Sequence, residues 1–156
     1  MRILLAGTFA GVADQGGATW AVLQYALGFA ELGHDVVLVE PVPPSAEVVE
    51  YFGRVVGAHD LASRAALLHG ARRTTGLPWA QVVAWSARAD VLINLAGVLT
   101  DERLTEIVPL RVYVDLDPAF TQLWHAAEGI DMRLGSHDRF VTVGQAIGTD
   151  GCALPT

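Results

Sequence analysis

The chain has 156 residues, one domain's worth, and 52% of them are apolar, enough for a single buried core. The net charge is −7 and all ten basic residues are Arg, with no Lys, which argues against general nucleic-acid or anionic-membrane binding. The lone Cys152 excludes an intrachain disulfide or a cysteine metal cluster, and no apolar run approaches the roughly 18 residues of a membrane span.

Arg2 to Ala6 is a short apolar run of the length of a fully buried strand. Met1-Arg2 leads straight into it, which does not read as a signal peptide, so a cytoplasmic protein is expected. Gly7 to Gly17 is a loop with four glycines, and Ala18 to Leu32 has the periodicity of a helix ended by Gly33. Val36 to Val39 is a second buried strand. Pro41 to Pro44 forces an extended exit, and Ser45 then caps a helix over Val48–Val56. Asp60 to Leu68 reads either as a helix or as a strand, and a strand near Ala65–Leu68 is favoured. It is followed by a turn at Gly70 and a polar segment, Arg72 to Thr75. Pro78 opens a helix running to about Arg88. Asp90 to Leu95 is the fourth strand. Thr100 caps a short helix over Asp101–Ile107, and Pro109 ends it. Leu110 to Leu116 is the fifth strand, Pro118 to about Ala127 a helix, and Arg139 to Val143 the sixth strand. From Gly144 the chain is polar and Gly-rich.

Strands and helices in this alternation predict an α/β domain, with a doubly wound, mainly parallel, Rossmann-like six-stranded sheet and helices on both faces. Residues 1–144 are expected to form that domain. Residues 145–156 read as an inter-domain linker cut short, so the chain is expected to be one half of a larger protein. Ligands of such sheets sit at the carboxyl ends of the strands.

Several residues are placed at that edge. Gln15, Gly16 and Gly17 open the first helix, where backbone N–H groups and the helix dipole suit a phosphate. The spacing is neither G-x-G-x-x-G nor a P-loop. Glu40, ending the second strand, either binds a ribose in the manner of nicotinamide enzymes or simply marks the strand end, facing the cleft or solvent. Asp115 and Asp117 flank Leu116 and project to one face if the strand continues. Either could accept a proton from a hydroxyl nucleophile, although Asp117 could instead cap the helix begun by Pro118. Asp14, in the glycine loop, is a further base or a turn residue. Asn94 and Gly97 follow the fourth strand and either touch a ligand or terminate the strand. His34 and His137 precede strands, at the opposite edge. His59 and His69 lack metal-ligand partners, and His125 reads as solvent-facing, so no metal and no cofactor is expected. Trp20, Trp79, Trp85 and Trp124 lie in predicted helices and read as packing residues. Cys152 has no evident activating neighbour and reads as inert.

With these residues laid out, the chain resembles the N-terminal half of a GT-B glycosyltransferase. The carrying features are Met1 to Gly7, Gln15-Gly16-Gly17 entering a helix, Gly28 to Val36 with its Leu32-Gly33-His34-Asp35-Val36 phrase, Asp90 to Asn94, and Tyr113 to Pro118. The resemblance implies two Rossmann-like domains about a cleft, with a nucleotide-sugar donor held mainly by the other domain and a small-molecule or glycan acceptor by this one. It also implies that Gly16 and Gly17 meet the donor diphosphate. The first loop has no His, which leaves Asp14, Asp115 and Asp117 as candidate bases. Nucleic acid is not expected as a partner. Apolar surface left uncovered by a missing domain could serve as a homodimer interface. The rival readings are a nicotinamide-dependent oxidoreductase using Glu40 and a non-catalytic sugar- or nucleotide-binding module.

Overall fold

The computed structural model describes residues 1–155. Strands β1 (Arg2–Ala6), β2 (Asp35–Pro41) and β3 (Ala65–Leu68) come from runs dense in Val, Leu, Ile and Ala. Such runs can be apolar on successive residues because both faces of a parallel sheet are covered. Strand β4 (Thr74–Gly76) follows. The remaining strands are β5 (Val91–Leu95), β6 (Arg111–Asp115) and β7 (Arg139–Thr142). The sheet order is β4-β3-β2-β1-β5-β6-β7, and every pairing is parallel except β3 with β4.

The sheet therefore has seven strands where six are expected. The extra one arises in the polar Arg72–Thr75 segment. Left-handed backbone at Gly70, Ala71 and Arg72 turns the chain back, and Thr74 and Thr75 pair with Leu68 and Leu67. Two β-branched residues suit an edge strand that needs little burial. His69 Nε2 lies 2.8 Å from the Thr75 hydroxyl across the hairpin.

Helices α1 (Gly16–Glu31) and α2 (Ala46–Ala58) cover one face. Their Val22, Leu23, Ala26, Phe52 and Val55 pack on Ile3, Leu5, Val36, Leu38 and Leu67. The other face carries α3 (Trp79–Ser86) and α4 (Glu102–Thr105), through Val82 and Leu104 on Leu4, Ala6, Val37, Val39 and Leu92. Helix α5 (Phe120–Ala126) links β6 to β7. Gly33, at φ +81°, ends α1: His34 N donates to Phe29 O, and Gly33 N to Ala30 O. Two caps differ from expectation. Asp101, not Thr100, caps α4, accepting from Arg103 N. Helix α5 begins at Phe120, after Ala119 at φ +81°, and not at Pro118.

Counting only the parallel strands, the order is β3-β2-β1 then β5-β6-β7. The chain leaves β1 in one direction and β5 in the other. The crevice between their carboxyl ends is the topological switch point. The outer strand β7 is less covered than β6: Phe140 and Val141, and Val143 just after the strand, are all more than half exposed.

Candidate functional site

Residues 7–15 after β1 and 96–101 after β5 flank the switch point. The first loop is rigid at its start. Gly7 N donates to Val39 O at 3.2 Å, and a Cβ at Gly7 would press on Val22 and Leu95 at 3.0 Å. Phe9 and Ala10 N–H donate to Glu40 Oε2 at 3.0 and 2.7 Å, and Gly11 N–H donates to Oε1 at 2.9 Å. The Thr19 hydroxyl donates to Phe9 O at 2.9 Å and lies 2.8 Å from Tyr51 Oη.

Glu40 thus faces neither cleft nor solvent. It is 1% exposed and spends its carboxylate on its own first loop. A Cβ at Gly11 would collide with Oε1, so the glycine is fixed by this contact. Burial pushes the Glu40 carboxyl above the usual carboxylate range, against the pull of the three N–H groups. At 1% exposure and held by three backbone donors, the carboxylate is not presented to a ribose in the cleft, which removes the structural basis of the nicotinamide reading.

Beyond Gly11 the loop opens. Val12, Asp14, Gln15, Gly16 and Gly17 are exposed, and a Cβ at Gly16 or Gly17 would meet nothing within 4 Å. No side chain caps α1 and no acidic residue lies in its first turn. Its leading N–H groups therefore face an open, electropositive helix end. Asp14 has left-handed backbone (φ 62°) and pairs with Arg54 at 3.2 Å, both side chains well exposed.

At the end of β6 the two carboxylates part company. Asp115 is 4% exposed and accepts four hydrogen bonds: Asp117 N–H at 3.0 Å, Thr121 Oγ1 at 2.7 Å, Gln122 Nε2 at 2.9 Å and Thr142 Oγ1 at 3.0 Å. Burial alone would raise its carboxyl, but these donors together hold it below the ordinary range. Asp115 is committed to joining β6, α5 and β7. It does not share a free face with Asp117. Asp117 is exposed, its side chain has no hydrogen-bond partner among the described residues, and it does not cap α5. Because β1, β5 and β6 are parallel, Asp117 and Gly16 lie on the same rim. Two strand spacings put the ends of β1 and β6 about 10 Å apart.

Asn94 and Gly97 lie beneath that rim. Asn94 is fully buried. Its amide donates to Leu99 O and accepts from Leu99 N, both at 3.0 Å, and its nitrogen lies 3.0 Å from His137 Nε2. Gly97 is buried at φ +66°, where a Cβ would come within 2.8 Å of Tyr113. Neither presents a group to a ligand; they fix the 96–99 turn. His137 is half-buried over Asn94 and Tyr113, and burial holds its pKa below the usual value. Trp20 and Trp124 are exposed, at 54% and 44%, and are not core residues. Trp20 meets His59 edge-on at 5.3 Å. Among the described residues no group of three His, Cys, Asp or Glu could hold a metal, and no helix is long and apolar enough to cross a membrane.

No family model matches the chain, and no curated protein matches it. Solved structures do. An α-glucosyltransferase bound to UDP and a 13-mer DNA with an HMU base aligns with TM-score 0.53 and 17% identity, over 91% of this chain and 37% of that one. A complex of an α-glucosyltransferase with UDP aligns at 0.52 and 18%, over 88% and 34%. A complex with UDP-glucose and DNA containing an abasic site aligns at 0.50 and 17%, over 99% and 40%. The chain thus spans about two-fifths or less of the length of these structures. At such identity the likeness concerns the fold alone: a Rossmann-like α/β sheet similar to one part of these α-glucosyltransferases. The expectation that nucleic acid is no partner is overturned, since two of these structures hold DNA. Net charge does not decide the matter, because it sums the whole chain, whereas phosphate contacts are local.

Proposed function

We propose that this chain is the acceptor-side, N-terminal half of a glycosyltransferase that moves a sugar from a nucleotide-sugar to a hydroxyl acceptor. Residues 1–144 are its Rossmann-like domain, 145–156 lead toward a donor domain, and the 156 residues alone turn over nothing. The observation that carries the reading is the uncapped, glycine-lined start of α1 at the switch point of a sheet shaped like a glucosyltransferase domain. Gln15, Gly16 and Gly17 would meet the donor diphosphate through backbone N–H groups. Of the three candidate bases, Asp117 is the best placed. It is exposed on the same rim and its carboxylate is free, whereas Asp115 is spent on its neighbours and Asp14 is paired with Arg54.

The solved neighbours make UDP-glucose the donor to try first, with DNA among the acceptors. In the full-length protein, Asp117→Asn should lower kcat by about 100-fold or more, the scale of a lost general base, while Asp14→Asn stays within about twofold. Transfer unchanged in Asp117→Asn would remove that assignment. Gly16→Asp separates ligand binding from folding. The new carboxylate favours the helix end by about 0.5 kcal/mol while repelling a diphosphate. Urea unfolding should show a stabilised variant and calorimetry a weaker affinity for UDP. If both move in the same direction, the diphosphate is not held there.

A further inference from the structure

His137 stands just before β7, and its ring ties two parts of the chain together. Nε2 lies 3.0 Å from Asn94 Nδ2 on β5, and Nδ1 lies 2.9 Å from Arg133 O. The direction of these bonds follows from Asn94. Leu99 fixes its amide: Oδ1 accepts from Leu99 N and Nδ2 donates to Leu99 O, both at 3.0 Å. The nitrogen facing His137 is therefore a donor with one proton left to give, and Nε2 must accept it. The ring proton then sits on Nδ1, where the Arg133 carbonyl takes it. This arrangement requires a neutral imidazole, because a proton on Nε2 would point at the Asn94 N–H. Turning the amide over would break both bonds to Leu99.

The segment carrying His137 lies against the turn after β5. A Cβ at Gly97 would come within 3.4 Å of Met132 O and of Arg133 Cβ. Tyr113 packs edge-on against the imidazole at 5.2 Å. Burial works with the geometry to hold His137 below its ordinary range. Among the charges around it, Arg111 of β6 and Asp138 act in opposite directions and pair with each other at 3.0 Å. Arg133 pairs with Asp131 at 3.5 Å. Glu102 and Glu106 of α4 line the same recess and are exposed.

We propose that His137 is an acid-sensitive latch. Neutral, it fastens the segment before β7 to the turn after β5; protonation sets donor against donor at Asn94 and releases both beside the crevice. The latch does not depend on sugar transfer and is tested without it.

The 156-residue chain is followed by NMR from about pH 8 down to about pH 5, across the range in which histidines titrate. At the upper end His137 should show the Nδ1–H tautomer, and its midpoint should fall below the unperturbed value of about 6.5. Protection of the Leu99 amide against exchange should drop about tenfold with that same midpoint, the scale of one lost hydrogen bond. In His137→Gln the carboxamide oxygen can still accept from Asn94 and takes no proton, so the drop should vanish. Glu40, with its raised carboxyl, also responds to acid, but it acts on residues 9–11 and does so in both proteins alike. An Nε2–H tautomer in the wild type, a midpoint at or above about 6.5, or a Leu99 amide that ignores the titration would overturn the latch. These three need no variant and decide the matter even if His137→Gln does not fold. A drop that persists in His137→Gln would overturn it as well.

Discussion

Glu40 shows how far a residue's role can depart from its place in the chain. It ends β2, where an acidic side chain commonly meets a ribose, yet its three donors lie 29 to 31 positions earlier. Removing it leaves three N–H groups without an acceptor, two of them in fully buried residues. Glu40→Ala should therefore cost about 2–4 kcal/mol in urea unfolding; a loss under about 0.5 kcal/mol would mean that water replaces the carboxylate. Asp115 bears on pH. Its lowered carboxyl makes a contribution that is complete above the unfolded value, about 3.9, and is lost as pH falls through the folded one. Glu40 tilts the other way: its raised carboxyl contributes fully below about 4.3, and that contribution is lost as pH rises through the folded value. The stability gap between wild type and Asp115→Asn, followed from pH 6 to pH 2, isolates the first effect and should narrow on acidification. A gap that stays constant would show the four donors to be incidental. Neither carboxylate's partners could be seen in the sequence, because burial and aim are set by elements that meet only in the fold.

The elements themselves were far more legible. Six strands stand where the sequence predicts them, and the inner ones read clearly because a strand buried on both faces must be apolar along its whole length. Ser45 precedes α2 as expected, although its side chain makes no capping bond. Strand β4 was hidden because an edge strand can be polar, and Thr74-Thr75 carries no alternation to read. The entry to α5 was misplaced for a different reason. Asp115 draws Asp117 N, Thr121 and Gln122 onto one carboxylate, and Ala119 is left at φ +81°. That conformation costs an L-residue about 1–2 kcal/mol, less the entropy that a glycine adds to the unfolded chain. Ala119→Gly should therefore raise the urea midpoint, with a net gain in stability of about 0.5–1 kcal/mol. Gly33→Ala, at the same φ in the α1 cap, should lower the midpoint, with a loss in stability of about 1 kcal/mol. If the two substitutions shift the midpoint in the same direction, backbone handedness is not what these turns require.

At the scale of the molecule, the parallel order sets everything at the candidate site: it alone puts Gly16 and Asp117 on one rim. That rim was foreseeable from the alternation of strands and helices. Which of its residues remain free was not, since Asn94, Gly97 and Asp115 all turned out to be occupied by their neighbours. The hold of Glu40 on residues 9–11 reaches further than stability. It wedges the end of β2 against the loop of β1, so the two strands leading to the crevice cannot be retuned separately. Anyone redesigning this scaffold to accept a dinucleotide would have to recast Gly11 and its neighbours first, because freeing the acidic side chain alone would dismantle the loop it was meant to serve.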